Sequence, residues 1–241
     1  MKSVQIKENI YWVGAIDWDI RSFHGYSTSR GTTYNAYLII DEKITLVDTV
    51  KHYLFDEMVA RISSLIDPAK IDYVISNHVE MDHSGGLPRL MALVPKAKVF
   101  TSVNGEKGLK AHYKGNWDFN IMKSGETLSL GKRSLTFIHI PMVHWPDNMI
   151  SYLPEDKILF SNDAFGQHIA TSERFDDQIP LDIILEEAAK YYANIVFPYG
   201  SNVQKALEAT SDLDIGIIAP SHGIIWRSHI KDIAREYRKW S

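Results

Sequence analysis

Apolar positions recur along the chain with two different periods. Residues 3–14 predict two short strands. Residues 15–33 show no period. They run from Asp17-Trp18-Asp19 to Arg30-Gly31-Thr32 and read as a long polar and aromatic loop, a kind of segment that usually carries function. Residues 34–40 and 44–48 predict a hairpin turning at Asp41-Glu42 and ending at Asp48-Thr49. Leu54, Met58, Ile62 and Ile66 then recur every fourth residue, with Phe55 and Val59 beside them, which gives a helix with one apolar face ending at Pro68. A strand at 71–76 and a helix through about Leu93 follow, then a strand at 97–101 and a short helix at 104–112. Three short strands fill 119–140, with turns at Gly125 and Gly131; two more lie at 149–153 and 158–161. Helices are predicted at 181–197 and 202–210, a strand at 215–219, and a closing amphipathic helix carrying Ile230, Ile233, Ala234 and Tyr237. Strands dominate, helices are interleaved, and neither repeats nor linkers appear. An α+β sheet sandwich flanked by helices, one domain over residues 1–241, is the expected architecture.

Composition narrows the chemistry. The 241 residues are 45% hydrophobic and 23% charged, enough for a substantial core. The net charge of −4 is spread along the chain, with no basic block of the kind that binds nucleic acid or anionic membranes. No apolar run approaches a membrane span, and Met1-Lys2-Ser3-Val4-Gln5 lacks a signal-peptide core, so a cytoplasmic address is expected. There is no cysteine, which excludes disulfides, haem thiolates, iron–sulfur clusters and a rubredoxin-type iron site on these residues. A metal would have to be held by nitrogen and oxygen.

The stretch His78-Val79-Glu80-Met81-Asp82-His83-Ser84-Gly85-Gly86 supplies such donors: four potential ligands, His78, Glu80, Asp82 and His83, within six positions just after a predicted strand. On an extended backbone His78, Glu80 and Asp82 would point one way and His83 another, so that one loop could serve two adjacent metals. His144, Asp163 and His222 also follow predicted strands, and loops at one end of a sheet scaffold converge readily. The pooled set, four imidazoles and three carboxylates, is too large for one tetrahedral zinc and suits two metals with a bridging carboxylate. Two divalent cations against three carboxylates leave about one positive charge.

These residues carry a resemblance. The chain resembles the metallo-β-lactamase-type domain of the flavodiiron proteins over nearly its whole length: in Gly31-Thr32-Thr33-Tyr34-Asn35-Ala36-Tyr37-Leu38, in the His-x-Glu-x-Asp-His motif, in Met142-Val143-His144-Trp145-Pro146-Asp147, in Phe160-Ser161-Asn162-Asp163-Ala164-Phe165-Gly166, and in Ser221-His222-Gly223. The resemblance implies a four-layer αβ/βα sandwich. It implies two non-haem irons, one held by His78, Glu80 and His144, the other by Asp82, His83 and His222, with Asp163 between them. It implies binding of O2 or NO, either for reduction with electrons from a separate flavoprotein or rubredoxin-type donor, or for oxygen sensing with a signalling partner. A homodimer is expected too. Flavodiiron proteins also carry FMN on a flavodoxin-like domain; no phosphate-cradling flavodoxin loop is found in these residues, so that domain is expected to be absent and FMN is not expected on this chain. Zinc hydrolases of the same fold have a histidine where this chain has Glu80. A carboxylate there adds negative charge and a harder ligand, favouring iron or manganese over zinc.

Around the ligands, His24, Tyr26 and Tyr192 resemble groups near the open metal positions, with His24 and Tyr192 as hydrogen-bond or proton donors; loop polarity and core packing would explain them as well. Trp145 resembles a residue facing the flavin, and burial alone would also account for it. Asp48 ends a strand and is placed either to orient a ligand loop or to cap a turn. His52, His112, His139, His168 and His229 read as surface or structural residues, and the methionines as core filler. The competing function is a dinuclear zinc hydrolase, against which Glu80 argues. A helical-bundle diiron protein would need Glu-x-x-His twice; Glu80-Met81-Asp82-His83 supplies it once.

Overall fold

The structure, a computed structural model, describes residues 1–241. In chain order the first part supplies β1 (Val4–Lys7), β2 (Ile10–Trp12), β3 (Ala15–Asp17), β4 (Ser22–Phe23), β5 (Tyr26–Ser27), β6 (Thr32–Tyr34), β7 (Tyr37–Ile39), β8 (Thr45–Val47), α1 (Phe55–Ser63), β9 (Tyr73–Ile75), α2 (Met81–Ser84), α3 (Leu87–Leu93), β10 (Lys98–Thr101), α4 (Val103–His112) and β11 (Asp118–Ile121). The second part supplies β12 (Thr127–Ser129), β13 (Ser134–His139), β14 (Met149–Leu153), β15 (Ile158–Asn162), α5 (Leu181–Tyr191), α6 (Gly200–Ala209), β16 (Ile217–Pro220) and α7 (Ile230–Trp240).

Two main sheets result. The first has seven strands in the order β1-β2-β7-β8-β9-β10-β11, antiparallel from β1 to β8 and parallel from β8 to β11. The second has five, in the order β12-β13-β14-β15-β16, antiparallel except for the parallel pair β15–β16.

The period of two decides the layers. In β7 and β8, Tyr37, Ile39 and Val47 point into a core shared with Phe137, Phe160 and Ile217 of the second sheet. Their neighbours Leu38 and Leu46 point the other way, onto Phe55, Met58 and Ile62 of α1 and Leu87 and Leu90 of α3. The second sheet does the same: Met149, Ile158 and Phe160 face the first sheet, while Ile150, Leu159 and Ile218 face Ile184 and Ala188 of α5 and Ile233 and Tyr237 of α7. Both faces of each sheet are covered, as their nearly unbroken apolar runs require. The outcome is the helix–sheet–sheet–helix stack expected from the resemblance.

Two expectations need correction, and a third gains detail. The supposed loop at 15–33 contains β3, β4, β5 and part of β6, with β3 paired to β6 and β4 to β5 across His24-Gly25. These strands have two or three residues, too short to show a period. The helix expected over 181–197 stops as an α-helix at Tyr191, continues as a π turn over Tyr192–Val196 and a 3-10 turn over Phe197–Tyr199, and resumes at Gly200. Pro198 sits in the first turn of the 3-10 segment, where its missing N–H costs no helical bond. The strands within 119–140 divide between the two sheets: β11 completes the first, while β12 and β13 open the second.

Candidate metal centre

The seven candidate ligands come from strand ends on both sheets. β9 ends at Ile75, and the chain passes through an irregular segment that bends at Asn77 and carries His78 to Glu80, whose backbone (φ −57°, ψ 142°) caps α2. Asp82 and His83 therefore lie in the first turn of a helix. The extended-backbone reading that aimed Asp82 with His78 and Glu80 is corrected on this point. Helical geometry turns Asp82 away from them and beside His83, the pairing implied by the resemblance. His144 follows β13 in the turn before β14, Asp163 follows β15, and His222 follows β16.

These residues form two groups. His78, Glu80, His144 and Asp163 present one donor atom each within 4.8 Å of one another, and so do Asp82, His83 and His222. In the first group, Glu80 Oε2 lies 3.4 Å from His78 Nε2 and 3.3 Å from His144 Nε2. In the second, Asp82 Oδ2 lies 3.3 Å from His83 Nε2 and 3.1 Å from His222 Nε2. Asp163 divides its two oxygens between them. Its Oδ2 is 3.5 Å from His78 Nε2 and 3.3 Å from His144 Nε2; its Oδ1 is 3.0 Å from His83 Nε2 and 3.6 Å from His222 Nε2. Donor atoms about 2.1 Å from a shared ion lie roughly 3.0–3.4 Å apart, so these spacings fit ligands drawn around two centres.

The donor atoms also lack any other occupation. His78 Nε2, Glu80 Oε2, both Asp82 oxygens, both His83 nitrogens, His144 Nε2, both Asp163 oxygens and His222 Nε2 are buried and make no hydrogen bond. Native interiors leave few such groups, and here ten adjoin one another. The residues present fit a pair of cations. Electrostatics point the same way. Burial pushes the Asp163 carboxyl up, but the imidazoles of His83 and His144 outweigh it and hold the group well below the usual carboxylate range. Burial likewise opposes the drop at Glu80, yet His144 and His78 bring it to about 2. Burial disfavours protonated His83 and His144, but Asp82 and Asp163 beside the first, and Asp163 and Glu80 beside the second, raise each to about 9. Three carboxylates in one buried site demand positive charge.

Surrounding groups fix the rings. His78 Nδ1 is 2.9 Å from Asp147 Oδ2, which also accepts from Val79 N at 2.8 Å. His222 Nδ1 meets the Thr33 carbonyl at 2.7 Å. Each contact fixes which ring nitrogen is left facing the centre. Asp48 accepts from Asn77 N (2.8 Å) and Asn77 Nδ2 (3.2 Å), so it orients the ligand loop, the first of the two roles considered for it. Thr49 Oγ1 donates to the His83 carbonyl at 2.5 Å. Gly223 has φ +78°, and a Cβ there would meet Gln167 Oε1 at 1.6 Å, so the residue after His222 is held to glycine.

His24 lies at the edge of the centre, its Nδ1 3.4 Å from Glu80 Oε1; both side chains are 18% exposed. With Phe23, Lys51, Met81, Asp82, His112 and Trp145 they line its opening to solvent. The Trp145 ring stands 5.3 Å from that of His78, edge to face. Tyr26 is near as well: its hydroxyl is buried without a partner, and burial, then Glu187 and Asp163, push its pKa well above the usual value.

Tyr192 is not near. Its ring packs on Tyr237 (5.1 Å) and Trp240 (5.3 Å) in the outer core. Tyr191 faces the centre instead, 5.9 Å from the His222 ring and 5.1 Å from that of His168, with its hydroxyl unpartnered. Consecutive helical residues point about 100° apart, which is the whole of the difference. His168, read as a surface or structural residue, takes the structural of the two roles. It is 1% exposed, its Nδ1 2.7 Å from Thr32 Oγ1 and its ring 4.8 Å from that of His222. His139, reaching the Met122 carbonyl, and His229, paired with Asp232, keep structural roles. Asp147 stood in the motif around His144 without a role assigned to it, and Tyr191 went unread in the sequence.

Fold and site together define a metallo-β-lactamase-like domain with room for two metals. A family model, "ODP family beta lactamase", matches residues 32–223, and the chain belongs to that family, whose solved relatives include flavodiiron proteins. The chain is 52% identical over 244 residues to a nitric oxide reductase of Moorella thermoacetica, covering 99% of this chain and 61% of that protein. The flavodiiron protein from Giardia intestinalis superposes with a TM-score of 0.97 at 38% identity, covering 100% of this chain and 59% of that one. The rubredoxin oxygen:oxidoreductase from Desulfovibrio gigas gives 0.97 at 45% identity, covering 99% and 61%. The chain thus spans about 60% of the length of these relatives. No helix is long and apolar enough to cross a membrane.

Proposed function

We propose that residues 1–241 form the diiron unit of an O2- or NO-reducing protein, with His78, Glu80 and His144 holding one iron, Asp82, His83 and His222 the other, and Asp163 joining them. The observation that carries this reading is the Asp163 carboxylate, with one oxygen turned to each ligand group. Bound iron would supply electrons and open coordination positions for a diatomic gas. Everything else falls to the protein. Glu80 contributes a third carboxylate, whose charge favours iron over zinc at this fold's ligand set. Asp147 and the Thr33 carbonyl hold His78 and His222 in the required tautomers. His24 stands beside the first ligand group, within reach of a molecule entering through the opening. Tyr26 and Tyr191 keep their protons, because burial raises both phenols far above neutral pH, and so can donate hydrogen bonds inward.

Electrons must arrive from outside these residues, which hold no cysteine. The relatives named for rubredoxin and nitric oxide make a flavin- or rubredoxin-type donor the partner to test. Trp145 and exposed Met81, at the mouth of the opening, provide the surface where such a donor would come closest. A dimer mate could bring the donor there. The experiment is metal analysis followed by anaerobic reduction and exposure to O2 or NO, with and without a reduced flavoprotein. The expected result is two irons per chain and sustained gas consumption only with the donor. Zinc in the purified protein, with ester or phosphate hydrolysis and no gas uptake after iron loading, would overturn the reading.

A further inference from the structure

A second cavity lies between β14 and β15 on one side and α6 and α7 on the other. It shares no lining residue with the opening of the metal centre. Ten of its twelve lining residues are hydrophobic, among them Ile150, Leu159 and Val203. Its polar lining groups are already engaged. Ser161 Oγ donates to the Ala164 carbonyl at 2.7 Å, Thr210 Oγ1 donates to the Ala206 carbonyl at 2.9 Å, and the Tyr237 hydroxyl accepts from Phe165 N at 2.7 Å. A buried water needs two to four polar partners, and this cavity offers no free one. It has room for about one small molecule, with a volume of about 20 Å³. Apolar cavities of this kind stay dry and take up xenon or small apolar molecules.

Its position gives the cavity meaning. Val143, in its wall, immediately precedes His144; Ala164 and Phe165 immediately follow Asp163. The wall is therefore built from the two segments that carry a ligand of the first group and the residue shared by both groups. On the far side, Ala206, Leu207 and Thr210 of α6 and its end are only half-buried, so the cavity leads from near the surface to the back of those segments.

We propose that this cavity is a binding site for one apolar diatomic gas molecule, entered past α6 and lying against the ligand-bearing segments. Its use in supplying the metal centre rests on the gas-reducing reading; its capacity to bind does not. O2 and NO are small, weakly polar molecules that a dry apolar interior accommodates better than water does.

Xenon is the probe. A crystal of the full chain under xenon pressure, with and without metal, should show one xenon touching Leu159, Phe165 and Val203. Val203→Phe should fill the space and lower xenon occupancy about tenfold or more, with metal content unchanged. Ala206→Leu, at the half-buried rim, is the second variant in case the first fails to fold, with the same expectation. In iron-loaded protein either variant should raise the apparent KM for O2 several-fold while leaving kcat nearly unchanged. An empty or water-filled cavity in the unsubstituted chain under xenon overturns the binding site. An unchanged KM in a variant that has lost xenon overturns its role in supply. Failure of the gas-reducing reading would appear as absent gas consumption with xenon still bound, a distinct result.

Discussion

Asp163 is the residue on which both ligand groups depend. Removing its carboxylate takes a donor from each group at once and leaves buried imidazoles facing one another. Asp163→Ala should therefore lose both metals rather than one, as measured by metal analysis of the purified variant. Retention of two metals would exclude Asp163 from the site. Tyr191 and Tyr192 make a second test. Tyr191→Phe should slow gas consumption by roughly tenfold or more with metal content preserved, as loss of a positioned hydrogen-bond or proton donor does. Tyr192→Phe should leave consumption unchanged and affect only the packing with Tyr237 and Trp240. Steady-state rates of the two variants with one donor would separate them. At this scale the clustering of the candidate ligands was legible because their types are rare in such density and because the segments that carry them follow strands. The tyrosine was not, because the phase of a helix is set by its start. α5 begins at Leu181 after Pro180, and two adjacent tyrosines leave the sequence ambiguous by one position.

Among elements, the short ones decide the site. The turn between β13 and β14 brings both a ligand, His144, and the Asp147 carboxylate that holds His78 and Val79 from the first sheet. Asp147→Ala should lower metal affinity about 10–100-fold, the usual cost of removing an outer partner of a ligating histidine. Competition with a chelator would measure it, and an unchanged affinity would show that His78 needs no such support. Long apolar runs such as β7, β8 and β14–β15 were legible from composition alone. The pieces of two or three residues at β3–β6 were not: they are held by pairing with each other and by Phe23 packing on the first core, neither of which is written locally. Pro198 was a local signal for an interruption before α6; the π turn after Tyr191 had none.

Across the whole molecule, two sheets stack back to back, and the ligands rise from strand ends of both: His78 to His83 from the first, His144, Asp163 and His222 from the second. Metal binding should consequently stabilise the assembled stack. At a free metal concentration about 1,000 times Kd the gain is roughly 4 kcal/mol, which for a chain of this size shifts Tm upward by about 8–16 °C. Calorimetry of metal-free and reloaded protein would check this, and coincident melting curves would sink it. The layered class was legible, since covered sheets must read as near-continuous apolar runs. Strand order was not. β11 is the edge strand of the first sheet and β12, six residues later, the edge strand of the second, a division set by long-range pairing and not by local pattern.

The order of the ligands along the chain has a consequence for synthesis. Donors at positions 78 to 83 are made first, but the second group closes only with His222, after β16 has been laid beside β15. A growing chain thus carries the early donors without a finished coordination sphere until His222 has been made. In the proposed centre, metal would be held fully only by a molecule whose two sheets are already in place.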